Sequence, residues 1–224
     1  MKKIFRSLFA DMCGISLVVS GLCLPLSSYA QNAKKTFIDM PDSLCPLLTH
    51  NNRADCIDFL NSHMKAKVQN RFDSISEMTE MSKDYIRVRL SQETTWQMKL
   101  LTVNDSTKVI CVVSTACAPA CDSSLKFYST SWKEISSKDK SFINLPQLND
   151  FFITPSDSLS SYQLESVRRY ADMLLVRADF NASDDALTFT FTTPDYMDKG
   201  TGDKLRLFIH PLSYQWNGEQ FLKK

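Results

Sequence analysis

A period of two, returning in short runs along the chain, most limits what this sequence can fold into. In "YIRVRL", Ile86, Val88 and Leu90 share one face and Arg87 and Arg89 take the other. In "WQMKLL", Trp96, Met98 and Leu100 alternate with Gln97 and Lys99, and in "ALTFTFTTP", Leu187, Phe189 and Phe191 oppose Thr188, Thr190 and Thr192. Successive side chains of a strand point to opposite faces, so each run is a half-buried strand. "VICVVST" is apolar almost throughout and reads as a buried strand. "SLKFYSTSW" sets Leu125 and Phe127 on one side, "MLLVRADF" is strand-like, and "KLRLFIHPL" alternates through Leu205, Leu207 and Ile209. Asn104-Asp105 supplies turn chemistry between two of these runs, and Asn217-Gly218 in "YQWNGEQF" is the dipeptide preferred in two-residue hairpins. Short strands joined by turns form an antiparallel meander with one face buried.

Two segments break the period. "NNRADCIDFLNSHMKAKVQN" carries Cys56, Ile57, Phe59, Leu60, His63 and Met64 at helical spacing, with Asn51 or Asn52 as the N-cap and Lys65 and Lys67 at the C-terminal end, where cations suit the helix dipole. "MPDSLCPLL" before it reads as a turn with a short helical piece, and "QNAKKT" as a loose polar start. "NLPQLNDFFITPSDSLSSYQ" is a connector marked by Pro146 and Pro155, docked by Phe151 and Phe152, and "YQLESVRRY" is a short helical turn. The expected fold is α+β, mostly antiparallel β, with two meander-like sheet units and an N-terminal helix. The phrases "SLKFYSTSWKEI" and "KLRLFIHPLSYQWNGEQF" share an order of strand, polar break and Trp, which suggests two related β units at about 80–150 and 170–224.

The first thirty residues have a different grammar. Lys2, Lys3 and Arg6 precede the apolar run "GISLVVSGLCLPL", and "SSYA" follows with Ser28 and Ala30 at a small-x-small site. That is a secretory signal peptide over residues 1–30, cut after Ala30. The apolar run is shorter than the ~20 residues that span a bilayer. Leu22 before Cys23 is too large for the usual lipoprotein site. Residues 31–224 then form a single α+β domain, exported to the periplasm or cell surface, with no later segment apolar enough to span a membrane. Loss of Lys2, Lys3, Arg6 and Asp11 takes the charge balance from 26 minus 25 to 23 minus 24, or −1. A near-neutral surface is unsuited to nucleic acid, which needs a basic patch.

Five cysteines remain after Cys13 and Cys23 leave: Cys45, Cys56, Cys111, Cys117 and Cys121. Exported cysteines are expected to pair. Cys117 and Cys121 in "CAPAC" fit a staple across the loop between adjacent strands. The alternative is thiol redox or soft-metal chemistry, which favours a cysteine at a helix N-terminus after a parallel strand, and no such alternation occurs. Cys45 and Cys56 could tie the helix to the segment before it. Cys111, among Ile110, Val112 and Val113, reads as a core thiol. His50, His63 and His210 are too scattered for a metal site, so no cofactor or metal is expected. No Gly-x-Ser-x-Gly or HExxH motif occurs, and five glycines are too few for phosphate-cradling loops. Asp184-Asp185 reads as a solvated turn pair. Asp195, Asp198 and Asp203 around Gly200 and Gly202 read as a polar hairpin loop, without the spacing of a calcium hand. Trp96, Trp132, Trp216, Tyr128 and Tyr214 could form a ligand platform, but at strand spacing they read as packing.

"FIDMPDSLCPLLTHNNRADCIDFL", "TWQMKLLTVNDSTKVICVV", "CAPACDSSLKFYSTSW", "TFTTPDYM" and "YQWNGEQF", in that order, resemble an exported family of Bacteroidetes known as domain of unknown function 3256. The resemblance spans the chain after residue 30 and implies a Gram-negative periplasm or outer surface as destination. It carries no activity, cofactor or catalytic residue. The expected role is a non-catalytic protein that binds an unidentified envelope protein or ligand or supports an envelope assembly. The alternative is a thiol redox or metal-handling protein using Cys117 and Cys121.

Overall fold

Thr49 opens the first long helix, because its hydroxyl accepts the Asn52 N–H at 3.1 Å while the Asn52 side chain accepts the Thr49 N–H. This reciprocal cap satisfies two backbone donors that a helix start leaves free. It replaces the cap expected at Asn51 or Asn52. The structure, a computed structural model, describes residues 32–224. The expected signal peptide, with Cys13 and Cys23, lies outside the described residues.

Helix α1 (Ala33–Ile38) is capped by Asn32 and buries Ala33 and Phe37, so the expected loose start is a docked helix. Helix α2 (His50–Asn61) ends at Ser62, and His63 turns the chain at φ 57°. Lys65 and Lys67 therefore sit outside the helix, Lys67 in the first strand. Six strands follow: β1 (Ala66–Gln69), β2 (Ile75–Met81), β3 (Tyr85–Arg89), β4 (Thr94–Asn104), β5 (Thr107–Cys117) and β6 (Cys121–Ser129). They pair antiparallel in chain order as one sheet. Helix α3 (Ser158–Arg168) leads to β7 (Val176–Phe180) and β8 (Ala186–Phe191), and helix α4 (Lys199–Arg206) to β9 (Leu212–Trp216) and β10 (Phe221–Lys223). These four strands form a second antiparallel sheet, ordered β10-β9-β8-β7. The fold is α+β with two antiparallel meanders and an N-terminal helix.

The first sheet is covered on both faces, not one. Ile86, Val88, Trp96, Met98 and Leu100 pack under α1 and α2, with the Phe37 and Trp96 rings 5.5 Å apart. Tyr85, Leu101, Val109, Cys111, Val113 and Phe127 face the second sheet and meet Phe180, Leu187, Phe189, Leu212 and Trp216. Gln97 and Lys99 point into this second layer and are buried, although the alternation set them opposite the core. Phe151 anchors the connector and is fully buried.

"KLRLFIHPL" is the clearest departure. It is the end of α4 and the turn after it: Leu205 and Phe208 are buried, while Leu207 is 73% exposed. Apolar residues at i and i+3 fit a helix as well as a strand over so few residues. Asp198 decides between them by accepting the Thr201 N–H at 3.0 Å as the N-cap. Gly202 lets this helix close on the chain before it, since a Cβ there would lie 2.5 Å from the Pro194 carbonyl oxygen. The first sheet also begins at Ala66 instead of about residue 80. The two similar phrases occupy different structures: Trp132 lies in the turn after β6 at φ 63°, and Trp216 ends β9.

Candidate functional site

Strand β7 is an edge of the second sheet, and an edge leaves every other backbone N–H without a strand partner. Here the first sheet supplies side chains instead. The Val176 N–H donates to Asp122 Oδ1 at 3.2 Å, the Ala178 N–H to Ser123 Oγ at 2.9 Å and the Phe180 N–H to Gln97 Oε1 at 3.2 Å. Asp122 and Ser123 belong to β6 and Gln97 to β4, so β7 runs across the first sheet's strands. Gln97 also accepts from the Tyr85 hydroxyl at 2.9 Å and directs Nε2 towards the Ala178 carbonyl at 3.4 Å and Asp179 Oδ1 at 3.3 Å. Arg87 and Arg177 close on the same Asp179 carboxylate at 3.4 and 2.7 Å.

The Cys117–Cys121 pair lies at one end of this seam. The two residues face each other across the β5–β6 ladder, and their sulfurs are bonded at 2.05 Å. Ala118-Pro119-Ala120 closes the loop with a cis peptide bond before Pro119. The Cys121 carbonyl accepts the Thr192 hydroxyl from the end of β8, and the next two residues are the Asp122 and Ser123 that cap β7. The sulfurs thus hold the hairpin end that addresses the second sheet. Both cysteines sit on strands, at the end of β5 and the start of β6.

Lys99 holds the other end. Its ammonium is buried and reaches Asp84 at 3.5 Å, Asp185 at 3.6 Å and the Asn181 carbonyl at 3.5 Å. Burial raises the Asp185 carboxyl above its ordinary value against the opposing pull of Lys99. Asp185 is therefore an ion-pair partner, not simply a solvated turn residue, while Asp184 accepts the Ala186 N–H at 2.9 Å.

The other candidates are kept apart. Cys45 and Cys56 are free, buried thiols, so the expected tie between them is absent: the Cys56 thiol points to the Ala66 carbonyl at 3.8 Å, towards β1. Burial pushes the Cys45 and Cys56 thiols up to about 11 and the Cys111 thiol well above its usual value. The link expected between Cys45 and the helix is made by Arg53, 1% exposed, which donates to the Leu48 carbonyl at 2.8 Å, the Ile38 carbonyl at 3.2 Å and Asp42 at 3.0 Å. His50, His63 and His210 are exposed and lie on separate segments. Asp195 and Asp203 pair with Arg206 at 2.6 and 2.8 Å, and Asp198 caps α4. Trp96, Trp132, Trp216, Tyr128 and Tyr214 are all buried; Trp132 donates to the Thr36 carbonyl and Trp216 to the Thr102 carbonyl. Sequence reasoning missed Gln97, Asp122, Ser123 and Thr192. Its one available signal was a Gln and a Lys two apart inside an otherwise apolar strand.

A groove of about 330 Å³ opens beside β6, between Leu125 and Phe127 on the strand and Ile135, Phe142, Ile143 and Leu145 on the segment after it. No helix among the described residues is long and apolar enough to cross a membrane.

A protein-family model described as a protein of unknown function, DUF3256, matches residues 25–221. No curated protein matches the chain. The chain is similar to the solved structure of a domain of an uncharacterized protein from Porphyromonas gingivalis W83, with TM-score 0.71 and 24% identity over 85% of this chain and 98% of that one. At that identity the likeness shows the fold alone.

Proposed function

The chain belongs to DUF3256, a family of unknown function, and on that footing we propose that it is a non-catalytic protein, exported to the periplasm or surface of a Gram-negative cell, that binds a partner or supports an envelope assembly. The observation that carries this reading is how the polar groups between the sheets are used. Gln97, Asp122, Ser123 and Thr192 are each bonded to a backbone group of the other sheet, and the sulfur pair closes the hairpin that presents two of them, Asp122 and Ser123. A catalytic group needs a polar atom left over for substrate. The three free thiols are buried with raised pKa values, the opposite of an activated cysteine. Export rests on the basic head, the short apolar run and the small-x-small site of residues 1–30. A cross-strand disulfide suits the same oxidising destination.

Thiol redox or metal handling through Cys117 and Cys121 has the half-exposure of both residues in its favour. Purified mature protein separates the readings in an insulin-reduction assay with a metal determination on the same sample. Turnover at the uncatalysed rate and substoichiometric copper and zinc are expected. Accelerated reduction, or one copper or zinc per chain that is lost in the C117S/C121S variant, would overturn the non-catalytic reading. N-terminal sequencing of the protein recovered from cells should begin at Gln31. A mature protein that retains Met1 contradicts export by this signal.

A further inference from the structure

Single apolar side chains stand exposed on most protein surfaces and need no explanation. Helix α3 differs, because several of them keep its period. Leu164 and Val167 are buried in the core under the second sheet, and the opposite side of the helix is open. On that side Leu159 is 65% exposed and Tyr162 74%, one turn apart, and Ser166 continues the line. The turn runs on past Arg168, since the Tyr170 N–H donates to the Val167 carbonyl at 3.0 Å. This sets Tyr170, 53% exposed, one turn beyond Ser166.

Opposite charges stand at the two ends of this stripe. Asp157 caps the helix start by accepting the Ser160 N–H at 2.8 Å, which also holds its carboxyl below the ordinary value. Its hydrogen bonds stay within the first turn of α3, and among the described residues it has no cation partner. At the other end Arg168 is taken by Glu165 at 3.4 Å and by the Asn149 side chain. Arg169 instead lies over the Tyr170 ring, 5.1 Å from its centre, with no carboxylate paired to it among the described residues. Asp157 and Arg169 are twelve positions, or ~18 Å of helix, apart.

We propose that the outer stripe of α3 is a two-fold interface on which a second copy of this chain packs its own α3 antiparallel. Turned end for end about an axis near Tyr162 and Gln163, the two helices set Asp157 of each copy opposite Arg169 of the other. Leu159 then falls between Ser166 and Tyr170 of the facing helix, and the two Tyr162 rings meet at the axis. Each contact is made twice, as an isologous interface requires. An acid at one end and an arginine at the other is a pattern that an antiparallel copy of the same helix completes. It does not suit an anionic lipid surface, because Asp157, Glu165 and Asp172 stand exposed beside the two arginines. The area sets the strength. The exposed parts of Leu159, Tyr162 and Tyr170 amount to roughly 400 Å² on each copy. With a polar rim, two copies bury on the order of 1,200 Å² in total, the lower limit of a specific interface, so the dimer is weak, with a Kd of about 10–100 μM. The inference goes beyond the role proposed above and does not depend on it.

The test uses residues 31–224, which form a compact unit of their own, in sedimentation equilibrium from about 5 to 500 μM. The weight-average mass should rise with concentration towards twice that of one chain. Leu159→Ser with Tyr162→Ser removes exposed apolar groups and should weaken association at least tenfold, with the melting temperature unchanged. Asp157→Asn keeps the helix cap and removes only its charge, and Arg169→Gln removes the opposing charge. Each should weaken association about threefold, and the two together no more than either alone, because they break the same contact. A chain that stays monomeric at about 500 μM, a dimer indifferent to the serine substitutions, or additive effects of Asp157→Asn and Arg169→Gln would each overturn the proposal. Sedimentation of the monomer with vesicles of phosphatidylethanolamine and phosphatidylglycerol would give the stripe to lipid and equally overturn it. None of these results bears on the insulin and metal assays, which decide the non-catalytic reading.

Discussion

Gln97 shows how much one side chain can carry. It is fully buried and meets groups from β3 and β7, so its removal takes the acceptor away from the Tyr85 hydroxyl and the Phe180 N–H. A buried polar group left unsatisfied costs about 1–3 kcal/mol, and Gln97→Leu should therefore lower the unfolding free energy by about 2–4 kcal/mol in urea titration. An unchanged midpoint would mean that the seam does not hold the sheets. The buried thiols give a pH prediction. Cys45 and Cys56 titrate near 11 in the folded chain against an ordinary 9.0, so the folded state keeps protons that the unfolded state releases between those values. Stability is flat below pH 9 on their account and falls as pH rises through about 11. A Cys45→Ala and Cys56→Ala double variant should lose part of that alkaline slope, measured as melting temperature against pH. A slope that matches wild type would contradict the assignment. Neither role was legible in the sequence. Strand periodicity assigns Gln97 a face, but it does not say that a second sheet covers that face.

At the scale of elements, the sequence was most readable where local chemistry and tertiary packing agree. Leu187, Phe189 and Phe191 alternate and are buried as β8. Asn217-Gly218 turns the last hairpin, with Gly218 at φ 99°. Legibility failed where polar residues occupy strands or where short apolar runs fit two periods. "ISEMTEM" forms β2 although only Ser76 and Met78 are buried in it. "KLRLFIHPL" closes α4 and turns out of it because a cap at Asp198, a glycine at 202 and Leu205 outweigh the alternation. The capping of β7 by side chains leaves no trace in its own sequence. Ser123→Ala should speed amide exchange at Ala178 by about tenfold, the loss of one hydrogen bond worth ~1–1.5 kcal/mol, with little change at Ala186 in β8. Gly202→Ala should destabilise α4 against the Pro194 carbonyl and lower the melting temperature by several degrees, since neither backbone can yield cheaply. An unaltered melting temperature would show that the contact relaxes freely.

For the whole molecule, the disulfide loop, the capped β7 edge and the Lys99 ion pairs join the two meanders. The family and its antiparallel α+β class were legible from ordered phrases and period-two runs. The joint between the sheets was not, because it is built from residues distant in the chain: Gln97 and Phe180 are 83 positions apart, and Cys121 and Thr192 are 71 apart. On the proposed reading, Cys117 and Cys121 close a structural joint and do not form a reactive pair. Closing a five-residue loop accounts for about 2 kcal/mol of chain entropy, and the contacts of Thr192, Asp122 and Ser123 add to what reduction would have to loosen. The most direct measurement is alkylation and mass spectrometry of the folded mature protein across graded glutathione buffers. The bond should remain closed at a poise of about −250 mV, because structural disulfides have potentials below about −300 mV and resist the glutathione pool. Opening at about −200 mV with the rest of the fold intact would contradict it and make the sulfur pair the site of a redox function.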